Sequence, residues 1–431
     1  MGPLTGVLGI VALIALSWLI SENRKRFPWR MVASGVVLQF VLALLFLKTP
    51  GVAQAFNRFA QLVNGVIQRA DAGAEFLFGP NLMDPTQSWG FIFAIKVLPV
   101  IIFFASLMAV LYHVGLMQRL VAGLAWLLRT TMGVTGAESL AMASNVFVGQ
   151  TEAPLCIRPY LPTFTRAQLA TLMVGGFATI AGSVLAAYVG ILGGTDHAQQ
   201  VEFVKHLITA SIMSAPAAFV MARIIVPETE QPPDEHVHAA PAGYQASNVL
   251  DAAAHGASEG LKLALNVGAM LIAFVALLHL VDWPLEGLSE VPAVRSWLDA
   301  RGIDHLGLKV ILGWVFTPLA WMMGVPGADA SAVGSLMGQK LVLTEFYAYI
   351  DLGNMLHGPD GATISVRSGK IATYALCGFA NFASIAIQIG GLTVLAPERR
   401  RDIVSLSVRA MFGGAFASWM TAAVAGILIG S

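Results

Sequence analysis

The residues best equipped for chemistry in this 431-residue chain fall in three short polar runs set in apolar sequence. The first, Ser144-Asn145-Val146-Phe147-Val148-Gly149-Gln150-Thr151-Glu152-Ala153-Pro154-Leu155, carries two amides, two hydroxyls and a carboxylate. The second, Leu343-Thr344-Glu345-Phe346, repeats the Thr-Glu pair, and the third, Gly378-Phe379-Ala380-Asn381-Phe382-Ala383-Ser384, sets an amide and a hydroxyl in an apolar stretch. Such groups together can match the donors and acceptors of a small polar ligand. A carboxylate inside hydrocarbon costs at least ~2.5–3.5 kcal/mol, so it normally has a partner or a function. A plainer reading stands beside each residue. Glu152 and Glu345 could form structural ion pairs or sit on surface loops, although their equivalent places in a repeat argue against it. Gln150, Thr151 and Asn145 could cap helices, Asn381 and Ser384 could bond between helices, and Phe379 could be core.

Other chemistry has little to stand on. The nine histidines show no metal-ligand spacing, no phosphate-binding glycine loop occurs, and no Ser/His/Asp arrangement is placed by motif. Cys156 and Cys377 lie in apolar stretches and read as small packing residues. Net charge is zero, with pI about 7.1, which gives no sign of a nucleic-acid partner.

The elements that must position these residues are membrane helices. The chain is 56% hydrophobic and 12% charged, about half the charge usual in soluble domains. Mean hydropathy is +0.72. Blocks 3–20, 31–47, 97–112, 167–195, 207–226, 261–282, 371–397 and 403–430 are long enough, or nearly so, to cross ~30 Å of hydrocarbon. The first block lacks a basic leader and a small-residue cleavage context, and reads as a retained span. Arg24, Lys25, Arg26 and Arg30 place the first loop in the cytoplasm. With eight crossings both termini then lie outside, Arg399–Arg401 fall inside, and the 194–203 loop, without Lys or Arg, falls outside. Residues 115–131, 306–322 and 52–70 suit interfacial helices, and the acidic, proline-rich 227–242 reads as a solvated cytoplasmic linker.

An internal repeat runs through this pattern. Met132-Gly-Val-Thr-Gly-Ala-Glu138 recurs as Met323-Gly-Val-Pro-Gly-Ala-Asp329, Thr151-Glu152 as Thr344-Glu345, and Gly176-Phe177-Ala178-Thr179 as Gly378-Phe379-Ala380-Asn381. Three crossings from one copy to the next leave the second upside down, and inverted repeats are typical of secondary transporters with a midplane site. The runs at 144–155 and 330–352 then read as re-entrant hairpins, tolerated at depth where they are buried or line a watery cavity.

At Gly149-Gln150-Thr151-Glu152-Ala153-Pro154-Leu155 and Gly378-Phe379-Ala380-Asn381-Phe382-Ala383-Ser384 the chain resembles the bacterial branch of the concentrative nucleoside transporter family. The resemblance implies an all-α polytopic fold with eight spans, two re-entrant hairpins and three interfacial helices, assembled as a homotrimer in the cell inner membrane. It implies four segments: 1–114 as scaffold spans with an outer interfacial helix, 115–226 as first-repeat transport domain, 227–305 as linker, interfacial helix and scaffold span, and 306–431 as second-repeat transport domain. Gln150, Thr151 and Glu152 would meet the nucleobase, with Val184 nearby. Glu345, Asn381 and Ser384 would hold the ribose hydroxyls, and Phe379 would lie between. Asn145, Val148, Thr179 and Ile180 would bind a co-transported sodium ion, with local unwinding over Gly175–Gly182. A proton-coupled transporter, a membrane-embedded enzyme acting on a lipid or nucleoside, and an ion channel are the competing readings. The channel is disfavoured by the inverted hairpins and the enzyme by the missing catalytic motif.

Overall fold

Backbone polar groups in hydrocarbon have no water to pair with, so long apolar runs fold as helices. The computed structural model describes residues 2–83, 92–194, 196–232, 246–301, 303–358 and 361–429, and every regular element among them is helical. Most of the linker expected at 227–242 lies outside the described residues.

Gly2–Leu19 and Trp29–Leu47 are the first two spans. The outer helix expected over 52–70 is longer, Pro50–Phe78, starting on a proline whose missing N–H is harmless in a first turn and ending at Gly79. Leu98–His113 is the third span, preceded by one turn, Phe93–Lys96. Val249–Ser289, the sixth, has 41 residues, so at 1.5 Å per residue it extends ~60 Å, well beyond the hydrocarbon. Among the described residues six helices are long and apolar enough to span a membrane. The first and seventh expected spans are not among the six. The apolar part of the first, Leu4–Leu19, is short, and the seventh is divided at 377–381 into Val366–Leu376 and Phe382–Leu395.

From Leu116 onward one series of elements is laid down twice. One helix (Leu116–Met132, then Leu308–Met322) leads to a hairpin arm (Gly136–Asn145, then Ala330–Val342) and a return arm (Ala153–Thr163, then Glu345–His357). A broken helix follows (Arg166–Ala178 with Gly182–Gly193, then Val366–Leu376 with Phe382–Leu395), and a long helix closes each copy (His197–Ile225, then Arg400–Leu428). The return arms differ. Pro154, Pro159 and Pro162 remove donors from the first, which winds as a 3-10 helix, whereas Thr344 caps a regular α-helix in the second.

The repeated acids 138 and 329 lock the base of each hairpin. Glu138 forms a capping box with Thr135 and an ion pair with Arg223. Asp329 accepts from Ser365 Oγ at 2.7 Å and Ser368 Oγ at 2.6 Å. At the end that the basic loop assigns to the cytoplasm, Arg166 joins Glu22 at 2.7 Å and Asp402 at 3.1 Å. That guanidinium holds the Glu22 carboxyl below its ordinary range.

The long helices of the repeats form the core: 89% of the most apolar 18-residue stretch of the fifth span is buried, against 22% in the third and 17% in the sixth. The third and sixth pack on each other where Gly256 and Gly260 face Ile102, Ala105, Ser106 and Ala109. The first two spans were expected to group with the third. They pack instead on the repeats, Gly6 against Ala423 and Ile427 and Gly35 against Val220, because these glycines admit the close approach.

Candidate functional site

The two broken helices abut at their breaks. The first unwinds at Thr179–Ala181, with Thr179 at φ −118°, ψ 166°. The second unwinds at 377–381, with Gly378 at φ 130°. A Cβ on Gly378 would lie 2.6 Å from the carbonyl oxygen of Phe177, so only glycine lets the breaks meet. At the first hairpin tip Gly149 (φ 99°) touches both: a Cβ there would lie 2.9 Å from Ala181 Cβ and 3.9 Å from the Phe379 ring. The unwinding is narrower than the expected Gly175–Gly182. Gly175 and Gly176 stay helical and serve close packing instead, the former against Met142 and Asn145, the latter against Gln150 and Gln388.

Glu345 is the centre of the polar group. It is 4% exposed and receives hydrogen bonds from both repeats. Tyr188 Oη donates to Oε1 at 3.0 Å and Asn381 Nδ2 to Oε2 at 2.8 Å. Asn381 Oδ1 accepts from the Ser384 backbone N–H at 2.8 Å, which caps Phe382–Leu395 and fixes the amide. Two carboxylate oxygens offer about four acceptor positions, so Glu345 keeps capacity for ligand hydroxyls. Ser384 is buried and Phe379 half-buried. Gln150 is buried with Oε1 unpartnered, and Thr151 Cγ2 reaches the Gly391 position on Phe382–Leu395. Val184 is buried one turn before Tyr188, on the same helix face.

The two repeated acids are not alike in their surroundings. Glu345 opens a regular helix and is enclosed, whereas Glu152 sits in the turn before the proline-rich arm, its side chain accessible although protein surrounds it on most sides. Neither forms an ion pair among the described residues. Two polar residues of this region escaped the sequence reading, Tyr188 and Gln388. Gln388 is buried, and its Nε2 donates to the Met173 carbonyl at 2.9 Å. Each lies four residues beyond an expected site residue, Val184 and Ser384, and that helical spacing was the available signal.

Asn145, Val148, Thr179 and Ile180 lie where the first hairpin meets the first break. Asn145 and Thr179 are fully buried, and neither Oδ1 nor Nδ2 of Asn145 has a partner. An unsatisfied buried amide costs about 1–3 kcal/mol, a cost that a bound ligand would remove. Thr179 Oγ1 lies 2.9 Å from the carbonyls of Asn145 and Gly175, and its single proton serves one at a time. No loop or cap bond among the described residues falls on the carbonyl of Val148 or Ile180. The helices Gly136–Asn145 and Arg166–Ala178 both end here, and their C-terminal dipoles favour a cation. Neutral oxygens without a carboxylate suit a hard monovalent ion. The four residues contain no group that titrates near neutral pH.

Comparison with known proteins covers nearly the whole chain. Residues 8–81 and 206–426 match the family described as Na+ dependent nucleoside transporter, N-terminus and C-terminus, and residues 94–195 match one described as nucleoside recognition. An uncharacterized transporter of Haemophilus influenzae is 43% identical, covering 100% of this chain and 99% of that protein. Sodium/nucleoside cotransporter 1 of Rattus norvegicus is 40% identical over 99% of this chain, which spans 64% of that longer protein. A structure of CNTnw in an inward-facing substrate-bound state superposes with TM-score 0.88 at 39% identity, covering 99% of this chain and 98% of that one. A doubly substituted variant of CNTnw in an outward-facing state gives 0.87 at 38% identity, covering 98% and 97%.

Proposed function

This chain belongs to the Na+-dependent nucleoside transporter family, and we propose that it carries nucleosides into the cell by alternating access, in symport with sodium. The observation that carries this reading is the Glu345 carboxylate held by Tyr188 of one repeat and Asn381 of the other. It offers charged acceptors to ribose hydroxyls where the two repeats join, which is where relative movement of the halves exposes a ligand to either side. Asn381 and Ser384 complete the sugar side, Phe379 separates it from the base side, and Gln150, Thr151 and Glu152 read the base, with Val184 packed beside them. The open position of Glu152 suits a group that meets its ligand from a cavity.

Sodium is the proposed co-transported ion, held by Asn145, Val148, Thr179 and Ile180. A proton would need a titratable group in that set. The repeats, 115–226 and 306–431, are the proposed moving part, and the first two spans travel with them because they pack on the repeat helices. The third and sixth spans are the support and, with their largely uncovered apolar surfaces, the faces through which three copies assemble in the inner membrane.

The test of the substrate is competition for labelled uridine uptake into proteoliposomes. Uridine should compete fully, deoxyuridine more weakly, and free uracil poorly, because a charged hydrogen bond to a hydroxyl is worth about 1.5–3 kcal/mol. Uracil competing as well as uridine would remove the ribose roles of Glu345 and Asn381.

A further inference from the structure

The second repeat holds a buried amine that the proposed transport chemistry leaves unused. Lys340 is 0% exposed, in the last turn of Ala330–Val342. Its Nζ donates to the Ala375 carbonyl at 3.0 Å and to Ser418 Oγ at 2.8 Å, both neutral partners. No ion pair among the described residues includes it. The Glu345 carboxylate acts on it electrostatically without forming an ion pair, and an ammonium buried on neutral partners is costly, so this placement calls for a reason.

The reason lies in the repeat. Asn145, at the end of the first hairpin arm, lies against Gly175 in the last turn of Arg166–Ala178, and Ser211 of the following long helix donates to the neighbouring Val146 carbonyl at 3.0 Å. Lys340, near the end of the second hairpin arm, meets Ala375 in the last turn of Val366–Leu376 and Ser418 of the following long helix. The same three elements meet in both copies, and in both two helix C-termini converge with dipoles that favour positive charge. In the first copy the polar side chain there is neutral and unpartnered; in the second it carries its own cation.

We propose that the Lys340 ammonium is a fixed cation standing in the second repeat where the first repeat holds its exchangeable ion, so that uptake is coupled to one cation per nucleoside. This rests on the ion site proposed around Asn145. A tethered ammonium satisfies the helix ends without having to be bound and released in each cycle, and it leaves the second repeat free for the sugar contacts of Glu345 and Asn381.

The experiment measures, in proteoliposomes containing the full chain, the charge moved per uridine from the voltage at which net flux stops, in sodium and in choline. Wild-type protein should move one charge per uridine, and two or more would overturn the proposal. Lys340→Ala should lose uptake roughly tenfold or more, the effect of one charge-assisted bond, and ethylammonium but not ethanol should restore it. A membrane-inserted Lys340→Ala that ethylammonium leaves inactive overturns the proposal, and so does a Lys340→Met that behaves as wild type. If the alanine variant does not reach the membrane, the wild-type charge count decides. Loss of the sodium requirement in the wild type would instead sink the Asn145 site, with ethylammonium rescue still judging Lys340.

Discussion

At the scale of single residues the site is a carboxylate steadied from two directions. Glu345 receives Tyr188 and Asn381 on different oxygens, so its orientation is set before a ligand arrives and little ordering remains to be done on binding. Glu345→Gln replaces one acceptor by a donor and should nearly abolish uptake in protein that still inserts; Asn381→Ala should do the same by freeing the carboxylate and uncapping Phe382–Leu395. Tyr188→Phe removes one donor and leaves the ligand's own contacts intact. Its apparent uridine affinity should fall about tenfold, the lower range for a bond to a charged group, with maximal rate retained. Binding and uptake curves for the three variants check this, and a Tyr188→Phe protein with wild-type affinity would remove Tyr188 from the site. Beyond its helical spacing from Val184, nothing in the sequence marked Tyr188, for a physical reason. One polar residue in an apolar helix reads as an interhelical bond, and its partner lies 157 residues away. Gln388 was hidden in the same way, its partner lying 215 residues away.

At the scale of elements, what the sequence disclosed was the polar interruption of hydrocarbon. The runs at 144–155 and 343–346 and the Asn381 break are costly at membrane depth, and each marked a hairpin tip or an unwound turn. What it did not disclose was how glycine is used. Gly175 and Gly176 look like helix breakers, yet they stay helical because Met142 and Gln150 press against them. Gly378, in contrast, combines a positive φ with a near neighbour. Nor did the repeat predict a 3-10 return arm in one copy only, since equivalent positions carry prolines in the first and none in the second. Gly378→Ala should cost about 1–3 kcal/mol from backbone strain, and more from the clash with Phe177, lowering Tm and blocking uptake together. Gly190→Ala, on a helix with open space at that point, should leave both unchanged. Thermal melts and uptake rates for the pair separate a requirement at the break from a general sensitivity to added methyl groups.

At the scale of the whole molecule, the inverted repeat makes a single site from two copies of one design, and its orientation follows from the basic loop at Arg24–Arg30. Lys25→Cys and Ala198→Cys should therefore label from opposite faces with an impermeant thiol reagent, the native Cys156 and Cys377 being buried. Labelling of both from one face would remove the inversion. The central claim is that sodium, held beside the first hairpin, drives nucleosides through a site shared by both repeats. One monovalent cation moving inward gains about 2.3 kcal/mol per 100 mV, enough for more than tenfold accumulation of a neutral nucleoside at about 1.4 kcal/mol per factor of ten. Coupling is reciprocal, so sodium should also raise the apparent affinity for the nucleoside. The most direct measurement is uridine accumulation in proteoliposomes at fixed pH and voltage, with external sodium replaced by choline, for the wild type and for Asn145→Ala. The account predicts concentrative uptake in sodium, its loss in choline, and a much reduced response to sodium in Asn145→Ala. Undiminished wild-type accumulation in choline, abolished when a proton gradient is collapsed, would contradict it.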